Sequence, residues 1–289
     1  LVRSMRSARN ALRAWRPSVA VGMGGYLTFP LAAAAGRLGV PLILHEANAV
    51  LGLANKASLP FAKALASGFP GGEAALRVRT VFTGTPVRRQ LWERAERASA
   101  RAALGLEGEG LVILVVGGSQ GARSLNRDLP PILSEACARA PRFQVLHLAG
   151  PAEAAEVQAL YASLGAPKAA VRGYLDDMRL AYAASDLAVC RSGAATLAEL
   201  GAQALPALLI PFPAASNDHQ AANALRLERA GAARMLREPL SGPRVLQALD
   251  ALLRPASLSE MSSAYGKAGF PPPAESEGRL ADLVEGAAQ

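Results

Sequence analysis

The chain has 289 residues, 51% of them hydrophobic, with a mean hydropathy of +0.18 and 31 Lys and Arg against 23 Asp and Glu, a net charge of +8. That much apolar material excludes a disordered chain and suffices for one or two domain cores. Two cysteines, Cys137 and Cys190, are too few for a disulfide framework, and no apolar run reaches the roughly 18 to 20 residues of a membrane-spanning helix. The positive charge favours an anionic partner such as nucleotide, nucleic acid or acidic lipid, without choosing among them.

Residues 1–16 carry Leu1, Met5, Ala8, Leu12 and Trp15 at helical spacing, interleaved with Arg3, Arg6, Arg9, Arg13 and Arg16. The pattern predicts an amphipathic helix with two readings: an interfacial helix drawn to anionic lipid, or a crossover helix docked on a sheet with its arginines solvated. The arginines do not fit the apolar core of a signal peptide. Because Leu1 is not a methionine and the helical pattern is already under way there, the chain is expected to be a fragment, or a mis-started frame, of a longer protein. Strands are expected at residues 19–22, 41–45, 111–116, 144–148, 187–190 and 207–211, separated by Ala/Leu/Arg-rich stretches long enough for crossover helices. That is the βα pattern of parallel sheets, whose ligands sit at the carboxyl ends of the strands. A domain boundary is expected between residues 79 and 111, with a charged helical stretch over 89–104. Three prolines at 271–273 break the chain before a last helix over 276–285, whose apolar side is Leu280, Leu283 and Val284.

Four loops directly after expected strands carry the chemistry. Residues 117–122 (GGSQGA) follow an apolar strand and lead into a helical stretch over 123–139. Glycines there let backbone N–H groups approach a phosphate or sugar, with Ser119 as an added donor, although any α/β protein uses such turns. The sequence has no Gly-Lys-Ser/Thr and lacks the full dinucleotide fingerprint. Residues 22–26 (GMGGY) form a second glycine-rich turn. In residues 190–199 (CRSGAATLAE), small side chains keep a helix N-terminus open to a diphosphate and Thr196 adds a hydroxyl. Glu199 suits a pair of ribose hydroxyls, but Thr196 to Glu199 also spells a capping box in which Glu199 merely caps its own helix. After the last of these strands, Gln220 and Asn223 are spaced to read sugar hydroxyls, or lie in an exposed polar loop. His45, His147 and His219 have no partners at metal-ligand spacing.

In this order, residues 22–26 (GMGGY), 45–48 (HEAN), 84–88 (GTPVR), 117–122 (GGSQGA), 176–178 (DDM), 191–194 (RSGA) with Glu199, and 218–220 (DHQ) resemble the MurG family of glycosyltransferases over nearly the whole chain. The resemblance implies an α/β GT-B fold: two Rossmann-like domains with parallel sheets facing across a cleft, the first of them incomplete. The expected division is residues 1–88 as the remnant of an acceptor and membrane-side domain, 89–270 as the UDP-sugar domain, and 271–289 as a helix returning to the first domain.

The resemblance further implies inverting transfer of N-acetylglucosamine from UDP-GlcNAc to a polyprenyl-diphosphate-linked muramyl pentapeptide. The setting would be the cytoplasmic face of the bacterial inner membrane, bound peripherally at an anionic surface, with no nucleic acid, cofactor or metal involved. A helix N-terminus and neighbouring arginines would neutralise the diphosphate. Carried over by motif, the Leu175 backbone would meet uracil, and Ala194, Ala195, Thr196, Leu197, Ala198 and Glu199 would wrap diphosphate and ribose. Gln220 would hold the sugar, with Asn48, Arg88 and Ser119 completing the site. The family's first glycine-rich loop, bearing the histidine proposed as base, has no counterpart here, so no catalytic residue is assigned. The alternatives are a nucleotide-sugar-binding fragment without catalysis, or another UDP-sugar GT-B enzyme.

Overall fold

The computed structural model describes residues 1–71, 77–140, 143–165 and 168–289. In chain order its first elements are α1 (Val2–Trp15), β1 (Ala20–Gly22), α2 (Thr28–Leu38), β2 (Leu42–Glu46), α3 (Leu53–Ser58), β3 (Ala64–Ser67) and β4 (Arg79–Phe82). Then come α4 (Arg97–Leu104), β5 (Leu111–Val116), α5 (Arg123–Arg139), β6 (Phe143–Leu148), α6 (Ala154–Ser163), β7 (Ala169–Arg172), α7 (Met178–Ala184) and β8 (Leu187–Cys190). The remainder is α8 (Ala194–Gln203), β9 (Ala207–Leu209), α9 (His219–Ala230), β10 (Ala233–Met235), α10 (Gly242–Leu252), α11 (Pro255–Ala264) and α12 (Pro273–Ala288). The chain forms two compact units: Leu1–Val87 with Ala215–Asn223 and Gly269–Gln289, and Arg88–Ala214 with Ala224–Ala268.

Unit 1 is built on a parallel sheet of order β1-β2-β3-β4 among the described residues. Side chains alternate across a strand, so Leu42 and Leu44 of β2 face a cluster with Leu12 of α1 and Ala32 of α2, while Ile43 faces Leu283 and Ala287 of α12. Covered on both faces, β2 is buried from end to end. α12 presents Leu280, Leu283, Val284 and Ala287 along one side. Its carboxyl end accepts a hydrogen bond from Lys63 Nζ at Ala287 O, 3.1 Å, a cation where the helix dipole favours one. Of the apolar residues of α1, Leu12 is buried with Ala8 packed beside it, but Leu1 and Trp15 stand in solvent.

Unit 2 holds a parallel sheet of order β10-β9-β8-β5-β6-β7. From β5 the chain proceeds outward through β6 and β7, then returns to lay β8 on the other side of β5, which puts a topological switch point between β5 and β8. The core lies on β5: Val112, Ile113, Leu114 and Val115 are completely buried, and Ile113 and Val115 pack with Leu125 and Leu129 of α5 and Val245 and Leu249 of α10.

Strands β3, β4, β7 and β10 are additional to those expected from sequence. They are short, of three or four residues, and β4, β7 and β10 are edge strands, so none shows the long apolar run that marks a central parallel strand. The helical stretch expected over 89–104 is divided into a 3-10 turn, Arg89–Leu91, and α4. Glu96 causes the restart, its carboxylate accepting from the N–H groups of Ala98 and Ser99. Arg101 of α4 is buried and donates to the carbonyls of Ala184, Gly108 and Gly110 while pairing with Asp186 at 3.1 Å. It fastens α4 to the rest of unit 2.

A buried polar chain crosses unit 2. His147 Nδ1 lies 3.1 Å from the Tyr161 hydroxyl and Nε2 3.0 Å from Asn126 Oδ1, and Asn126 Nδ2 donates to Ala149 O and to Glu153. Burial lowers the His147 pKa to about 4. The folded state therefore keeps His147 neutral where the unfolded chain, with an ordinary pKa of about 6.5, takes up a proton. Stability is expected to be unaffected by this group above about pH 6.5 and to fall by up to about 3 kcal/mol as the pH drops toward 4. Denaturant midpoints at pH 7 and pH 5 should differ less for His147→Gln than for the parent protein; an equal difference in both would show that another group carries the acid sensitivity.

Candidate active site

The carboxyl ends of β5 and β8 open into a pocket of about 300 Å³ in unit 2. One wall is the loop 117–122, where Gly118 has φ 107° and Ser119 is exposed. Another is the first turn of α8, whose N-cap is Gly193 and which has no side-chain cap. Its leading N–H groups thus lack a side-chain acceptor and face small residues, an arrangement suited to a diphosphate. Leu148 and Val116 form the apolar floor, and Tyr174, Leu175 and Met178 close the third side.

Arg88 and Glu199 supply the charges at this pocket. The guanidinium lies 3.9 Å from Glu199 Oε1, with the arginine side chain half exposed and the glutamate 20% exposed. The Tyr182 hydroxyl donates to Glu199 Oε2 at 2.6 Å. Burial, and then the adjacent carboxylate, push the Tyr182 pKa well above its ordinary value, so its hydroxyl keeps its proton. Arg88 is held in reach by its neighbours, since the carbonyl of Leu91, itself fully buried, accepts from Gln203 Nε2 of α8 at 2.7 Å.

These contacts overturn the capping-box alternative. The helix begins at Ala194, three residues after Arg191, so Thr196 is already inside its first turn and the Glu199 carboxylate turns to Tyr182 and Arg88. Of the neighbouring carboxylates Asp176 and Asp177, the second is the N-cap of α7 and accepts from Arg179 N, and its pKa is lowered chiefly by the Arg179 side chain.

The structure brings Arg88, Ser119, Leu175, Ala195, Thr196 and Glu199 together around one pocket. Ala194, Leu197 and Ala198 lie on the same helix, but Leu197 and Ala198 are buried, so what they offer a ligand is backbone. Asn48 and Gln220 belong to unit 1. Asn48 sits in a braced loop: Glu46 Oε1 accepts from Asn48 N and Nδ2, and Oε2 from Gly52 N and Asn55 Nδ2. Its Oδ1 accepts from Asn223 Nδ2 at 3.1 Å, and Asn223 Oδ1 accepts from Ala49 N, tying the loop to the turn of α9 that carries Gln220. A larger hollow in unit 1, about 530 Å³, is walled by strand residues and the later part of α12, with no glycine-rich turn.

Tyr182's contact with Glu199 could not be read from sequence, because a tyrosine ring fills a core whatever its hydroxyl meets. Arg191, which opens the small-residue turn, is part of the scaffold. It is buried, donates to the carbonyls of Ile210 and Pro211 and to Ser124 Oγ, and pairs with Glu238 at 2.9 Å.

Two parallel-sheet α/β units, one with a nucleotide-type pocket at its switch point, are the parts of a GT-B glycosyltransferase. Residues 1–67 match the glycosyltransferase family 28 N-terminal domain and residues 112–275 the glycosyltransferase family 28 C-terminal domain. A UDP-N-acetylglucosamine–N-acetylmuramyl-(pentapeptide) pyrophosphoryl-undecaprenol N-acetylglucosamine transferase of Acidithiobacillus ferrooxidans is 45% identical over 257 residues, 88% of this chain and 67% of that protein. Its namesake from Burkholderia ambifaria is 40% identical over 291 residues, covering 99% of this chain and 77% of that protein. The crystal structure of Acinetobacter baumannii MurG superposes with a TM-score of 0.77 at 29% identity, covering 97% of this chain and 77% of that one. The chain belongs to the MurG family.

Removing one side of the buried Arg191–Glu238 pair leaves an uncompensated charge and is expected to destabilise unit 2 by about 3 to 5 kcal/mol. Urea unfolding of Arg191→Ala checks this; a loss below about 1 kcal/mol would mean that water reaches the pair.

Proposed function

We propose that this chain transfers N-acetylglucosamine from UDP-N-acetylglucosamine to a hydroxyl of a polyprenyl-diphosphate-linked muramyl pentapeptide. The observation that carries the reading is the pocket of unit 2: an uncapped helix N-terminus, an arginine and a tyrosine-held carboxylate converge there in a member of the MurG family. The diphosphate lies against the first turn of α8, with Arg88 moving from Glu199 to meet it. Glu199 then accepts from ribose hydroxyls, the uracil rests beside Leu175, and Ser119 donates from the glycine-rich loop. Gln220, with Asn48 bracing its helix through Asn223, reads the sugar.

In the reaction the acceptor oxygen bonds to the anomeric carbon as the bond from that carbon to the phosphate oxygen breaks. UDP leaves with the bonding electrons, the acceptor proton passes to a base, and the configuration inverts. The binding groups of unit 2 favour the step by stabilising charge that grows on the departing diphosphate.

The acceptor sets the place of work, the cytoplasmic face of the inner membrane. No helix among the described residues is long and apolar enough to cross a membrane. Peripheral attachment fits α1, which docks through Leu12 and leaves Trp15 in solvent among its arginines, with Arg3 and exposed Leu27 lining one groove. Each arginine contributes roughly 1 kcal/mol near an anionic surface.

Glu199→Ala is expected to weaken UDP-N-acetylglucosamine binding by about 1 to 3 kcal/mol. Calorimetry beside an assay of labelled sugar transfer separates the readings: binding with no transfer by this chain would leave it a nucleotide-sugar-binding module. On vesicles, sedimentation is expected to be stronger with anionic than with neutral lipid and to drop when Arg3, Arg6 and Arg13 become Gln. Equal binding to both lipids would rule out electrostatic attachment.

A further inference from the structure

We propose that Tyr182 determines the preference of this pocket for ribonucleotides over deoxyribonucleotides, by holding the Glu199 carboxylate in the one orientation that meets ribose hydroxyls. The proposal rests on the reading of Glu199 as the ribose ligand and extends it to a residue that need not touch the nucleotide.

A glutamate on the exposed side of a helix has three rotatable bonds and samples several rotamers, and a ligand that needs one of them must bear the entropy of selecting it. Glu199 is not free in that way. Tyr182 is almost wholly buried in α7, so packing rather than solvent sets the position of its hydroxyl, and that hydroxyl donates to Glu199 Oε2 at 2.6 Å. With its pKa pushed up by burial and by the carboxylate, the phenol stays protonated, and its single proton is committed to Glu199. Oε2 is thereby anchored. Oε1 faces the half-exposed guanidinium of Arg88 at 3.9 Å, beyond hydrogen-bond reach.

What the anchored carboxylate offers is therefore a fixed acceptor and no donor. A ribose hydroxyl satisfies it, whereas a deoxyribose leaves a partly buried charge unpaired, and sites built around a hydroxyl reject analogues that lack it far more strongly than apolar pockets reject a missing methylene. An unanchored carboxylate would turn away from the missing hydroxyl toward water and lose most of that discrimination. Tyr182 is thus a positioning residue.

The experiment compares binding of UDP, 2′-deoxy-UDP and 3′-deoxy-UDP by calorimetry to the parent chain, Tyr182→Phe and Glu199→Ala. Tyr182→Phe keeps the ring that fills the core and removes only the oxygen. It is expected to weaken UDP binding by roughly 5- to 20-fold, where the ranges for neutral and charge-assisted hydrogen bonds meet, while leaving the weaker deoxy-UDP nearly unchanged, so that the ribose preference collapses. A uniform loss for all three nucleotides, or no loss, would overturn the proposal, since general loosening of α7 cannot single out a hydroxyl. Glu199→Ala separates the two levels. If it abolishes the preference and Tyr182→Phe does not, the ribose reading stands and the role of Tyr182 falls; if it leaves the preference intact, the ribose reading itself is wrong.

Discussion

The pocket depends on two loops that lie backbone against backbone. A Cβ on Gly121 would sit 2.0 Å from Ala149 O, and one on Gly150 would sit 2.4 Å from Gln120 O. Both glycines have positive φ, at 76° and 88°, so neither conformation nor space admits a side chain. The loop after β5 is therefore pinned against the loop after β6, and Asn126 adds a hydrogen bond to Ala149 O just below. Ser119 and the open Gly118 can be presented to a ligand because the other end of their loop cannot move.

Two arginine–glutamate pairs near the strand ends show how burial divides labour. Arg191 and Glu238 are about nine-tenths buried, and the guanidinium also meets two carbonyls and a hydroxyl, so every charge has a partner and the pair works as a rivet between the ends of β8 and β9. Arg88 and Glu199 are more open and poorly matched at 3.9 Å. Such a pair contributes little to stability. Under the function proposed, that weakness leaves each partner available to the ligand, Arg88 to the diphosphate and Glu199 to the ribose.

Much of this was legible in the sequence where one physical signal dominated. The run LVILVV at 111–116 had to be a doubly covered parallel strand, and β5 has those bounds. The glycine-rich turn and the small-residue turn fell on either side of the switch point because both directly follow such strands. Less legible were features that depend on tertiary partners. The tetrapeptide Thr196 to Glu199 has the letters of a capping box, yet the helix begins two residues before Thr196, and only the position of Tyr182 decides where the carboxylate goes. The partner of Arg191 was equally hidden, since Glu238 lies 47 residues later in the chain. Short edge strands such as β7 and β10 draw their register from the neighbouring strand, so their own residues carry little signal.

The polar chain through unit 2 has a fixed direction. Asn126 Nδ2 faces two acceptors, Ala149 O and Glu153 Oε2, so its amide cannot be flipped and its Oδ1 must accept. His147 then carries its hydrogen on Nε2, and Nδ1 accepts from Tyr161. His147 and Asn126 are each committed as donor on one side and acceptor on the other, so a second proton on the imidazole would break the bond from Tyr161. Burial and these commitments together keep the imidazole neutral, and a proton forced onto it must dismantle the chain that holds Tyr161 and Asn126 in place.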